Sequence, residues 1–164
     1  MAGKGIVAFA FGTPENISSN QYIARIAAFK AMGFKAPVYT QSDIRLPSDI
    51  PVTYTEEISG EPPSTLRIAR GAVQWAKELG FYELWTVAAK PHLRRCIRDM
   101  KRAIRESGAS IQVQACEEIS IRYSYDAWFC KNSTQARTRT KTAWLKREYI
   151  LRMMPFFIYK HVAK

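Results

Sequence analysis

Hydrophobic positions change period repeatedly along the first 120 residues. Residues 5–11 (GIVAFAF) are an unbroken apolar run closed by Gly12, the pattern of a strand buried on both faces. After a loop over 13–16, Tyr22, Ile23, Ile26, Ala27 and Phe29 recur at helical spacing, with Ser18 or Ser19 as the cap and Gly33 as the stop. Residues 36–40 read as a second strand, 43–51 as a loop punctuated by Pro47 and Pro51, and 52–58 as a short third strand. Pro62 and Pro63 announce a helix whose stripe is Leu66, Ala69, Val73, Ala76 and Leu79, ended by Gly80. Residues 83–89 form another buried strand. Pro91 then opens a long helix with Leu93, Ile97, Met100 and Ile104 inward and Arg94, Arg98, Lys101, Arg102 and Arg105 outward. Gly108 closes it, and residues 111–119 return as a strand.

Strand and helix alternate with short connections, which predicts βαβ crossovers. The expected class is therefore α/β: one Rossmann-like domain over residues 1–164, three-layered, with a mainly parallel sheet flanked by helices. Beyond residue 120 the pattern weakens. Residues 121–129 suit a strand or a loop, and 131–140 read as polar, basic and mobile. Residues 142–160 read as a helix interrupted or kinked at Pro155.

Composition narrows the class. The chain has 164 residues, 47% of them hydrophobic, enough for one domain with its own core and too apolar for disorder. No apolar run approaches the roughly 20 residues that cross a bilayer. The start of the chain lacks a signal-peptide pattern, so a cytoplasmic protein is expected. Cys96, Cys116 and Cys130 are widely spaced, and His92 and His161 lie far apart. Neither a disulfide framework nor a metal site is expected, and the thiols read as free and buried in a reducing compartment.

Charge adds the strongest bias. The formal net charge is +11, and it is unevenly placed. Residues 1–89 balance to zero, residues 90–105 carry +6, residues 106–130 carry −3, and the basic extension 131–164 carries +8. Such a field favours an anionic partner: a phosphorylated small molecule, nucleic acid, or an anionic membrane surface.

Ligands of open parallel sheets bind outside the carboxyl ends of the strands. Two loops fall there. Gly12 and Thr13 open the first, where a tight backbone turn can present amides to an anion. The second holds Lys90, His92 and Arg95: a histidine on a helix's first turn, where the macrodipole disfavours its protonated form, beside cations that can clamp a phosphate or carboxylate. A third element, before the helix at 65, supplies Glu56, Glu57 and Glu61 with Ser64 and Thr65, and a carboxylate from it can face His92. Capping alone also explains Ser64 or Thr65. No dinucleotide fingerprint, Walker lysine or nucleophile elbow occurs, so no cofactor is identified.

These residues bring a resemblance into view. The apolar strand ending in Gly12 precedes a helix carrying Arg25; Thr65-Leu66-Arg67-Ile68-Ala69 opens the next helix; and the strand LeuTrpThrValAla leads into His92-Leu93-Arg94-Arg95. Over roughly residues 5–120 the chain resembles the bacterial SanA/ElyC/YdcF family, which has a Thr…Glu-Asn-Ala helix start and a His-x-x-Arg motif. Arg67 and Ile68 stand where that family has Glu and Asn. The resemblance implies a Rossmann-like domain of poorly defined activity, a link to the cell envelope, and a nucleotide-like ligand. Thr65, His92, Arg95 and Arg25 carry over as pocket residues.

Three functions stay open at this level. The first is a protein, enzymatic or not, that binds an anionic small molecule through Gly12, Thr13, Arg25, Thr65, Lys90 and Arg95, with His92 as acid or base. The second is a nucleic-acid module using the outer face of the helix at 91–107, with Tyr123, Tyr125, Trp128 and Phe129 stacking on bases. The third is attachment of the C-terminal helix to an anionic membrane, to a partner or to a second copy.

Overall fold

The computed structural model describes residues 3–59 and 63–162; Glu61 and Pro62 lie outside them. Its sheet holds five strands: β1 (Lys4–Ala8), β2 (Val38–Thr40), β3 (Val52–Tyr54), β4 (Glu83–Val87) and β5 (Gln112–Ala115). They pair in the order β3-β2-β1-β4-β5, every pair parallel. Alternate residues of β1 feed two cores. Ile6 and Ala8 pack with Ile23, Ile26 and Ala27 of α1 (Ser18–Phe34) on one face. Val7 packs with α2 (Thr65–Glu78) and α3 (Lys90–Ser107) on the other. The three-layer α/β class read from the periodicity is the observed fold. Because the chain leaves β1 toward β2 but enters β5 from β4, the connections diverge at β1 and β4, and a crevice opens at their carboxyl ends.

Several boundaries differ, each for a local reason. The apolar run 5–11 stays buried at Phe9 and Phe11, yet the strand stops at Ala8. Beyond it the Ala10 amide donates to Gln41 Oε1 and the Phe11 amide to Asn20 Oδ1, so side chains replace the ladder. Neither serine caps α1. Ile17 is its N-cap, while Ser19 Oγ donates to the Phe11 carbonyl and the Asn20 amide reaches the carbonyls of Gly12 and Pro14. The helix continues through Gly33 and ends on Lys35, which takes the left-handed conformation at φ 49°. Phe29 falls outside the buried stripe and lies half exposed under the Arg122 guanidinium. Strand β3 covers only the first part of the strand expected over 52–58, and β5 ends at Ala115 because the chain then turns into α4 (Glu118–Arg122).

Ser64 caps α2, with its side chain accepting from the Arg67 amide, and Pro91 sits in the first turn of α3. Residues 121–129 form no strand: the end of α4 and a 3-10 turn (Asp126–Trp128) put Trp128 fully inside the α1-side core. Residues 131–140, expected to be mobile, are tied to the rest of the protein at several points. Ser133 and Thr138 are buried, the Thr134 amide donates to the Thr13 carbonyl, and Arg139 Nε donates to the Ser133 carbonyl. The final helix is interrupted at Pro155, as its sequence predicts, into α5 (Lys141–Met153) and α6 (Phe156–Val162). Leu151 and Tyr159 of this pair form a small separate core with Leu66. Cys96 and Cys116 are buried, Cys130 is half-buried, and all three thiols are free. No helix among the described residues is long and apolar enough to cross a membrane.

Candidate functional site

His92 stands at the centre of the crevice. The turn after β4 makes Ala89 the N-cap of α3, and the His92 amide bonds back to the Ala89 carbonyl at 2.8 Å. This aims the imidazole inward, where it is 6% exposed and meets Thr65, the first residue of α2: Thr65 Oγ1 and His92 Nε2 are 3.1 Å apart. Aromatic rings enclose it, with Phe9, Phe11 and Trp144 centroids at 6.3, 6.1 and 5.4 Å. Trp144 is fixed in turn by its indole N–H, which donates to the Pro91 carbonyl. Nδ1 of His92 has no hydrogen-bond partner among the described residues.

Burial first, and then the charges of Arg95, Arg137 and Arg147, hold the His92 imidazole well below its ordinary pKa. Neutrality at this position was expected from the helix dipole. In the fold, desolvation and the guanidinium field impose it more strongly.

Those three arginines line the same cavity, of about 220 Å³. Arg95 comes from the second turn of α3, Arg137 from the 3-10 turn Ala136–Thr138, and Arg147 from α5. Glu148 is the carboxylate beside them: Arg95 Nε and Glu148 Oε1 are 2.8 Å apart and nearly buried, but the N–H is not aligned along that line. Burial and the neighbouring Arg147 and Arg95 push the Arg137 guanidinium down to about 10, and Arg147 is lowered for the same reasons. A guanidinium made easier to deprotonate is one whose charge is incompletely solvated and incompletely paired. Asp43, above β2, also lines the cavity, and burial with nearby Glu57 and Glu15 raises its carboxyl toward the neutral form.

The structure brings Gly12, Thr13, Thr65, His92 and Arg95 of the sequence candidates to one cavity. It does not bring Arg25 or Lys90. Arg25 is exposed on α1 in a separate shallow hollow with Arg45, and Lys90 is exposed and outside the cavity wall. The carboxylates also differ from expectation. Glu56 and Glu57 are exposed and outside the cavity, Glu57 bonding to Ser42, and Glu61 lies outside the described residues. Asp43 takes the place foreseen for them.

Sequence reasoning missed Asp43, Gln135, Arg137, Thr138, Trp144, Arg147 and Tyr159, all on the cavity wall. The signal available for most of them was the +8 charge of residues 131–164, which gave a partner class but no position. The aromatic residues considered for base stacking are used internally. Trp128 is buried, Tyr123 stacks on Tyr22 at 4.0 Å, and Phe129 packs on Phe11.

Together these features define a Rossmann-like α/β protein with a cationic, histidine-centred pocket at the switch point of its sheet. The chain matches no protein-family model and no curated protein. Of the resemblance noted in the sequence, the structure supports the parallel five-stranded α/β fold.

Proposed function

We propose that the protein binds a phosphate-bearing, nucleotide-like small molecule at the carboxyl edge of its sheet, with His92 as the proton-exchanging group. One observation carries this: Arg95, Arg137 and Arg147 converge on a single cavity, and of the three only Arg95 has an ion pair, with Glu148, among the described residues. Burial pushes the carboxyls of Asp43 and Glu148 toward their neutral forms, so the three guanidiniums leave an excess of positive charge that a phosphate balances. Bidentate guanidinium geometry also suits phosphate oxygens. The neutral imidazole beside this cluster can accept or donate a proton at the bound molecule, which makes an enzyme of envelope-related phosphate chemistry the reading to test first. Thr65, His92 and Arg95, through which the chain resembles the SanA/ElyC/YdcF family, all line the cavity, which favours carrying the family's nucleotide-like ligand to this chain. The three free thiols fit a cytoplasmic, reducing compartment. Nucleic-acid binding keeps the basic outer face of α3 but loses much of its stacking platform, because Trp128 is buried and Tyr123 and Phe129 are half-buried against Tyr22 and Phe11.

Calorimetric titration with inorganic phosphate, pyrophosphate and a nucleoside monophosphate tests the proposal. Saturable binding is expected, weakened about 10- to 100-fold by Arg137→Ala, the range lost with one charged hydrogen-bonding pair. No saturation at millimolar ligand, or an unchanged affinity in that variant, rules it out.

A further inference from the structure

The C-terminal helices are inverted relative to an ordinary surface helix. Their buried side includes Trp144, Glu148, Leu151 and Tyr159, three of which carry polar groups into the protein. Their outer side carries a strip of large apolar residues. Leu145, Tyr149 and Met153 follow at intervals of four, so they lie in one line on α5, with Ile150 beside them. Phe157 and Ile158 continue the apolar surface on α6. All six are exposed, Tyr149, Met153 and Phe157 by 68, 69 and 65%. A soluble surface rarely concentrates large apolar groups in this way without a partner.

Charge selects the partner. Lys146, Arg152 and Lys160 are exposed beside the strip, and Lys141 stands at its start, 3.8 Å from Asp126. Glu148 is the one acidic residue in the segment 131–164, and it is turned inward against Arg95. A second copy would therefore set cation against cation around the same strip. An anionic bilayer offers both complements: negative headgroups for the lysines and arginine, and an acyl boundary for the apolar side chains. At 13 and 7 residues, broken at Pro155, the two helices suit lying in the interface rather than spanning it.

We propose that the outer face of α5 and α6 docks the protein on an anionic lipid surface. It is independent of the ligand pocket, since Arg147, Trp144 and Tyr159 serve the pocket from the opposite face of the same helices.

Co-sedimentation of the full chain with phosphatidylcholine vesicles, alone or with about a third phosphatidylglycerol, tests it. Partitioning is expected to be at least tenfold stronger on the anionic vesicles and to fall steeply between low and ~0.5 M salt, where the Debye length shrinks to a few ångströms. Two double variants, Tyr149→Glu with Phe157→Glu and Lys146→Glu with Arg152→Glu, should each abolish pelleting while circular dichroism and the thermal midpoint stay unchanged. Arg137→Ala should pellet like the parent, which separates failure of the pocket reading from failure of this one. The proposal is overturned by equal binding to neutral vesicles, by no binding to anionic ones, or by pelleting that survives both variants. A dimer in sedimentation velocity that dissociates with Phe157→Glu would equally overturn it, since the strip would then be covered by a second copy.

Discussion

Residues 1–89 and residues 131–164 build the same pocket by opposite means. The first stretch is charge-balanced and alternates strand with helix; it buries Ile6, Val7, Ala8 and Phe9 in an unbroken apolar run. The second carries +8 and little regular period, and its interior contacts mix Trp144, Leu151 and Tyr159 with Ser133, Thr138 and Glu148. The first stretch together with α3 is the scaffold and supplies position: Gly12, Thr65 and His92 are placed by strand ends and helix starts. The extension supplies charge and closure: Arg137, Arg147 and Trp144 exist at the pocket only because the chain returns across the sheet's carboxyl edge. The extension is thus part of the site.

The sharpest way to break this comparison is to treat the extension as core. Trp144 is 2% exposed, packs on Phe11 at 4.6 Å between ring centroids, and donates its indole N–H to Pro91. Trp144→Ala is expected to cost about 3–5 kcal/mol, the range for a large aromatic removed from an interior. Urea denaturation measures it. A loss below about 1 kcal/mol would be that of a surface substitution and would return the extension to the status of an appendage.

The arginines separate along the same line. Arg95 belongs to the scaffold and touches Glu148; removing it leaves a buried carboxylate unpaired, so Arg95→Ala should destabilise by about 3 kcal/mol. Arg137 belongs to the extension and faces other cations, so Arg137→Ala should leave stability unchanged or raise it slightly while weakening anion binding. Equal losses from the two substitutions would mean that Arg137 has a structural partner and is not held for a ligand.

Why the scaffold was legible and the extension was not follows from what each uses to fold. GIVAFAF, the Ser64 cap, Pro91 and the Gly108 stop are local signals, each readable within a few residues. They gave the parallel sheet and put Gly12, Thr65, His92 and Arg95 on its working edge. Asn20, which holds the Gly12 loop from the first turn of α1, and Asp43 carry no such signal, because their roles arise only once separate segments meet at the crevice. For residues 131–140 polarity alone suggests solvent. Here Ser133, Thr138 and Arg139 satisfy one another and the Gly12 loop instead. Arg25 and Lys90 failed for a related reason: proximity to a motif in sequence does not fix the direction of a long exposed side chain.

The two regions touch most closely at Gly12. Its φ is +92°, and a β-carbon there would meet Ser133 Oγ at 2.5 Å and Thr138 Oγ1 at 2.7 Å. Gly12→Ala should therefore cost about 1–3 kcal/mol, part from the backbone region and part from displacing the extension. Adding Ser133→Gly relieves one of the two close contacts but leaves the backbone term. Partial recovery in the double variant is expected, and full recovery would show that the glycine is needed only for space.

The smallest effect is the one that assigns charge to its source. The unfolded chain's histidines take up a proton near pH 6.5, while native His92 stays neutral to lower pH. Below pH 6.5 the unfolded state then binds more protons, so stability falls as the pH drops, with a slope approaching about 1.4 kcal/mol per pH unit until native His92 itself titrates. The carboxyls of Asp43, Asp99 and Glu148 are raised by burial and act in the opposite sense, since the native state gains their protons first. Comparing urea midpoints of the parent and His92→Gln from pH 5 to 7.5 removes their shared contribution, and the variant should be less acid-sensitive. Arg137→Ala should lie between the two, because it removes one of the three cations acting on the imidazole but leaves its burial intact. Acid sensitivity identical to the parent would place the whole effect in the scaffold, through burial and Arg95. Sensitivity reduced to that of His92→Gln would place it in the extension. Either measurement must be made without phosphate, because an anion held by the three arginines would raise the His92 pKa and hide the difference.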